Sequence, residues 1–170
     1  MIDFQFIDSE IIPLKNSADW LKTSLAASTA DVKILVTHHG TASWKLGNGA
    51  RPYHNYVLEN PLDYPIDLIL HGDTHLSEAF KHSPSGIKTY SGSYMGDALR
   101  DVYPAAATGA TTGYATSTVP NTYECIFFDY EPLRNLFIEI TTNPSGVVTL
   151  SYVDKDGNAT YYNEQLFPVI

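Results

Sequence analysis

The sequence predicts an α/β domain, a mixed β-sheet with flanking helices, spanning residues 1–170 as a single unit. Three observations predict it. Two apolar runs, Val32 to Val36 and Ile66 to Leu70, are short and rich in branched residues, as strands covered on both faces are. An amphipathic stretch, Ser17 to Ala27, precedes the first of them. Beyond Ile87 the chain becomes a succession of strand-length segments separated by turns.

Taken in order, Ile2 to Ile7 alternates apolar and polar residues and reads as a strand. Ser17 is placed to cap the helix, its hydroxyl accepting from an orphan amide of the first turn. Trp20, Leu21 and Leu25 recur at helical spacing and form one apolar face. The run Val32 to Val36 ends at Thr37-His38-His39-Gly40. A polar, Gly-containing loop follows from Thr41 to Pro52, then a short helix over Tyr53 to Glu59, stopped near Pro61. The run Ile66 to Leu70 ends at His71-Gly72-Asp73-Thr74-His75.

The later strands are Ile87–Tyr90, Tyr123–Asp129, Leu136–Thr141, Val147–Val153 and Thr160–Tyr162. Asn143 to Gly146 and Asp154 to Asn158 are turns. The second begins like a calcium loop, but its twelfth position is Gln165 rather than Glu, so it reads as a hairpin turn. Between Tyr103 and Pro120 the chain is mostly Ala, Thr and Gly, a length and composition typical of lids or of poorly ordered loops.

With 170 residues, 44% hydrophobic and 17% charged, the chain is globular and long enough for its own core. Its net charge of -9 argues against a broad nucleic-acid footprint. A small phosphate ester held by a local metal is still compatible, because the metal supplies the positive charge. Cys125 is the only cysteine, which excludes an intramolecular disulfide and a Cys-rich zinc site; it sits in an apolar run and reads as a core residue. No stretch approaches the ~18–20 apolar residues that span a bilayer, and the first residues do not resemble a signal peptide, so a cytoplasmic protein is expected.

Four of the six histidines fall in two clusters, His38/His39 and His71/His75, each directly after a buried-looking strand. In open α/β sheets the carboxyl ends of strands are where ligands bind. Imidazole is the commonest metal-binding side chain, and Asp73 adds a carboxylate two residues before His75. Such a mixed His/carboxylate set suits Mn, Fe or Zn.

Three segments in order resemble the calcineurin-like metallophosphoesterase family. Phe6-Ile7-Asp8-Ser9, followed by Trp20-Leu21 and Leu25, is similar to its strand and helix carrying "LDS" and "WL…L". Val36-Thr37-His38-His39-Gly40 resembles its "HHP" motif, and Asp67 to His75 its "GHxH" motif. The resemblance implies half of a four-layer α/β-β/α sandwich and a metal-dependent phosphoesterase using two divalent metal ions (Mn, Fe or Zn). By position, His38, Asp73 and His75 would hold metal, and His39 or His71 would protonate the leaving group or contact a phosphate oxygen. Asp73 stands where the motif has a histidine, and Gly40 where it has a proline, which would loosen that loop.

The family's earlier motifs, DxH, GDxxD and GNH[DE], have no counterpart ahead of these segments. Asp97 and Asp101 spell a similar pattern, but after the second cluster, and read as loop acids. The chain is therefore expected to be the C-terminal portion of such a domain. It would act on a phosphate-ester substrate once completed by the missing N-terminal half or a partner chain, with a homodimer as one route. The alternative is a non-catalytic structural or binding module derived from the same fold. A mononuclear hydrolase complete in this chain is the third reading. Tyr90 and Tyr94 would line the site or pack in a strand.

Overall fold

The computed structural model describes residues 1–7, 14–40, 42–43, 57–72, 74, 76–92, 123–129 and 136–167. The elements are β1 (Ile2–Ile7), α1 (Leu14–Ala27), β2 (Val32–Thr37), β3 (Leu68–His71), β4 (Ser77–His82), β5 (Lys88–Ser91), β6 (Tyr123–Asp129), β7 (Leu136–Thr142), β8 (Val148–Asp154) and β9 (Thr160–Phe167).

They form two sheets. The first has six strands in the order β1-β2-β3-β5-β4-β6, and the second has three in the order β7-β8-β9. Strands β1, β2, β3 and β5 run parallel, while β4 lies antiparallel between β5 and β6. The second sheet is antiparallel throughout. The sheet is thus mixed and the class α/β, as the sequence predicts, with one helix among the described residues.

The six-stranded sheet is buried on both faces because its central strands carry apolar residues at successive positions. Leu35 of β2 and Ile69 of β3 point to one face, where Ala18, Leu21 and Leu25 of α1 cover them. Ile34 and Leu68 point to the other, where Leu136, Val148, Leu150 and Tyr152 of the second sheet cover them. The layers are helix, mixed sheet, antiparallel sheet. Ser24 of α1 donates to Gln5 of β1 at 2.7 Å, tying the helix to the sheet edge.

The helix differs from its sequence reading in two respects. It begins at Leu14, so Ser17 lies within it as a buried residue rather than at its cap. Trp20 is 51% exposed and lies off the buried face, which is made by Ala18, Leu21 and Leu25 at i, i+3 and i+7. Strand β4 has no counterpart in the sequence reading. The turns at Asn143 and Asp154 form as expected: each side chain accepts from backbone amides two and four residues on, and Gly146 and Gly157 take positive φ. Cys125 is buried. Most of the expected Tyr53–Glu59 helix, and the Tyr103–Pro120 stretch with it, lie outside the described residues.

Candidate active site at the strand ends

His38 and His39 come to the same sheet end as His71 because β2 and β3 are neighbours. Their parallel register pairs Thr37 with His71. One step further, the Gly72 amide donates to the His38 carbonyl at 3.0 Å, so the pairing continues past the strands. The register is set at the other end of β3. Asp67 donates its amide to Lys33 (2.9 Å) and accepts the Lys33 amide on its carboxylate (2.7 Å). Burial raises the Asp67 pKa above the ordinary carboxylate range, only partly opposed by the bond from Lys33.

His38, His39 and His71 therefore share one end of the sheet. The His38 and His39 rings meet edge to face, 4.8 Å apart. His38 is exposed, whereas His39 (5% exposed) and His71 (6%) are buried. The His71 Nδ1 lies 3.3 Å from the Gly72 carbonyl. A side chain at Gly40 would run into the His71 ring, whose Cε1 and Nδ1 lie 2.5 and 2.6 Å from where a Cβ would stand. The Gly40 position is therefore filled by a neighbour rather than loosened. Gly72 has more room: its nearest neighbours to such a Cβ are the His38 carbonyl, at 3.6 Å, and Nδ1, at 3.9 Å.

Asp73 and His75 lie outside the described residues, as do Tyr94, Asp97 and Asp101. Thr74, between the first two, is fully buried and anchored. Its hydroxyl donates to Ser91 at 3.1 Å, and Ser91 donates in turn to the Leu76 carbonyl at 2.8 Å. Sequence reasoning missed Thr74; the only signal was a small hydroxyl residue between two candidate ligands. Tyr90 turns away from this end and packs between the sheets.

Among the described residues, no three His, Cys, Asp or Glu side chains gather closely enough to hold a metal ion. The three histidines at this sheet end by themselves do not fit a metal centre. No helix of the described residues is long and apolar enough to cross a membrane.

No family model matches the chain, and no curated protein does. Solved structures do match. GAP50, described as the anchor in the inner membrane complex of Plasmodium, matches over 99% of this chain and 50% of its own, at 19% identity and a TM-score of 0.62. PhoD matches over 88% of this chain and 31% of its own, at 15% identity and a TM-score of 0.50. The likeness is one of fold. This chain spans about half the length of the first and about a third of the second.

Proposed function

We propose that this chain supplies part of a metal-dependent phosphoesterase site, the part built on the ends of β2 and β3. The observation that carries the reading is the parallel pairing of Thr37 with His71, which brings three histidines, His38, His39 and His71, to one sheet end. The fold likeness to PhoD, over 88% of this chain, is compatible with it. The anchoring of Thr74, which holds the segment between the two outstanding candidate ligands, supports it.

Within this site the exposed imidazole of His38 would hold metal, together with Asp73 and His75. In the tautomer where His71 donates its Nδ1–H to the Gly72 carbonyl, its buried Nε2 carries the lone pair and is the atom that would take up or deliver a proton. The dinuclear centre implied by the resemblance would need Asp73, His75 and further groups beside His38. A second polypeptide segment or a second copy of the chain would supply them. The four-layer sandwich, the C-terminal placement of residues 1–170 within it and a cytoplasmic site of action belong to the same proposal.

A second reading, a non-catalytic structural or binding module, is favoured by a different observation. His39 and His71 are buried in packing, and GAP50, matched over nearly all of this chain, is described as an anchor. The two readings separate on metal content together with turnover. Elemental analysis near two Mn, Fe or Zn ions per chain, with metal-dependent cleavage of a generic phosphodiester that His75→Ala abolishes, supports the esterase. Protein that takes up no metal when loaded, and cleaves nothing, supports the module.

A further inference from the structure

Gly40 is a glycine whose backbone does not need one. Its φ lies outside the left-handed region, unlike those of Gly86, Gly146 and Gly157, so conformation does not explain it. Space does. A Cβ built on Gly40 meets Cε1 of His71 at 2.5 Å, Nδ1 at 2.6 Å and Nε2 at 3.1 Å, three atoms of one ring. The first two distances are far inside van der Waals contact. The ring has little freedom to withdraw, because His71 is buried and its backbone is held in register with Thr37. The other strand-end glycine is a natural control: Gly72 meets nothing closer than 3.6 Å.

Two departures from the motif are thereby linked. Proline at position 40 would bring a Cβ, so a proline there and the His71 imidazole as seated here exclude each other. Asp73 removes an imidazole from the second motif, and His71 sets one down two residues earlier, in the space that Gly40 leaves. We infer that Gly40 is a positioning residue for His71, seating its imidazole at the strand end that also carries His38 and His39, as the site's proton-transferring or phosphate-contacting group. What His71 is positioned for rests on the phosphoesterase reading; that Gly40 positions it does not.

The test uses the full chain with ¹³C/¹⁵N-labelled histidine. A nuclear Overhauser contact is expected between the Gly40 α-protons and the His71 ring proton on Cε1. Gly40→Ala should lower Tm by roughly 3–10 °C, the range expected for one methyl forced into a packed site. His71→Ala in the same chain should recover most of that loss, and Gly72→Ala should lower Tm far less. Inorganic phosphate, added with and without Zn²⁺, should shift the His71 resonances in the wild type and fail to do so in Gly40→Ala. Should Gly40→Ala not fold, folding of the Gly40→Ala/His71→Ala pair supports the inference and its failure overturns it. An equal Tm loss with and without His71, or a phosphate response that survives Gly40→Ala, also overturns it. If the Tm coupling holds and no histidine responds to phosphate in the wild type, the positioning stands and the phosphate site proposed above falls.

Discussion

The hydroxyl of Tyr152 in β8 lies 2.7 Å from the Glu78 carbonyl of β4 and 2.8 Å from the Ser91 carbonyl of β5, its one proton shared between them. Glu78 and Ser91 are themselves a register pair, so one buried hydroxyl from the second sheet holds two strands of the first. Phe127 stacks on the same ring, with centroids 4.5 Å apart. Removing only the oxygen tests this link. Tyr152→Phe keeps the ring packing and leaves two buried carbonyls without that donor, which should cost about 1–3 kcal/mol. Urea unfolding reads the cost, and an unchanged midpoint would show that the carbonyls are satisfied without Tyr152.

A second cross-sheet link turns on a carboxylate. Tyr90 of β5 and Tyr162 of β9 both donate to Oε2 of Glu164, at 2.8 and 2.6 Å, while Lys88 pairs with its other oxygen. Burial raises the pKa of Tyr90, Tyr152 and Tyr162 above the ordinary tyrosine value of 10.0. The unfolded chain therefore loses these phenolic protons first. Their contribution is intact below pH 10 and is lost as the pH rises beyond it toward the folded-state values. Stability should fall steeply on the alkaline side, with tyrosinate absorbance appearing together with unfolding. In Tyr90→Phe the alkaline slope should be shallower; an identical slope would remove Tyr90 from the explanation.

Asp67 gives a prediction of the same sign in an acidic window. Its folded pKa is raised, so ionisation is disfavoured by folding, and its contribution is largest below about pH 4 and lost as pH rises through the folded value. Asn at this position can still accept the Lys33 amide through its side-chain oxygen without a buried charge. Asp67→Asn should be neutral or mildly stabilising at pH 7, by up to about 1 kcal/mol, and destabilising relative to wild type near pH 3. Chemical denaturation at the two pH values decides it; a clear loss at pH 7 would show that the charge itself is needed.

Thr74→Val keeps the shape of a fully buried side chain and removes the hydroxyl that Ser91 accepts from. The expected cost is about 1–2 kcal/mol. Under the phosphoesterase reading, metal-dependent turnover should fall further than stability accounts for, because Asp73 and His75 flank this anchor. A turnover that follows only the folded fraction would place Thr74 among purely structural residues.

Much of this architecture is legible in the sequence because burial on both faces leaves a simple trace. The runs around Ile34 and Ile69 are apolar on both sides, and β2 and β3 lie there. The histidines at their ends could be expected to meet once the strands were taken as parallel neighbours. Strand β4 was not legible. It reads Ser-Glu-Ala-Phe-Lys-His, polar in most positions, yet Glu78 is fully buried between β5 and β6. Nothing local announces such a strand; its neighbours on either side make it one. Trp20 misled in the opposite way, since spacing counts apolar residues without showing how wide a face the neighbouring layer covers. The purpose of Gly40 depends on a ring from another strand, and no reading of the segment around Gly40 alone could contain it.

Strand β1 stands at the edge of the six-stranded sheet and pairs with β2 alone among the described residues. Phe4 and Phe6 are exposed on one of its faces, 43% and 68% respectively. Edges of this kind are usually guarded by lysine, proline or an outward charge. The only charge in β1 is Asp3, whose carboxylate is engaged by Gln5 at 2.7 Å. Handled in isolation, this chain therefore has a solubility ceiling written into six residues. Concentrated samples should scatter light before they unfold, and a lysine in place of Phe6 should raise the concentration at which they do.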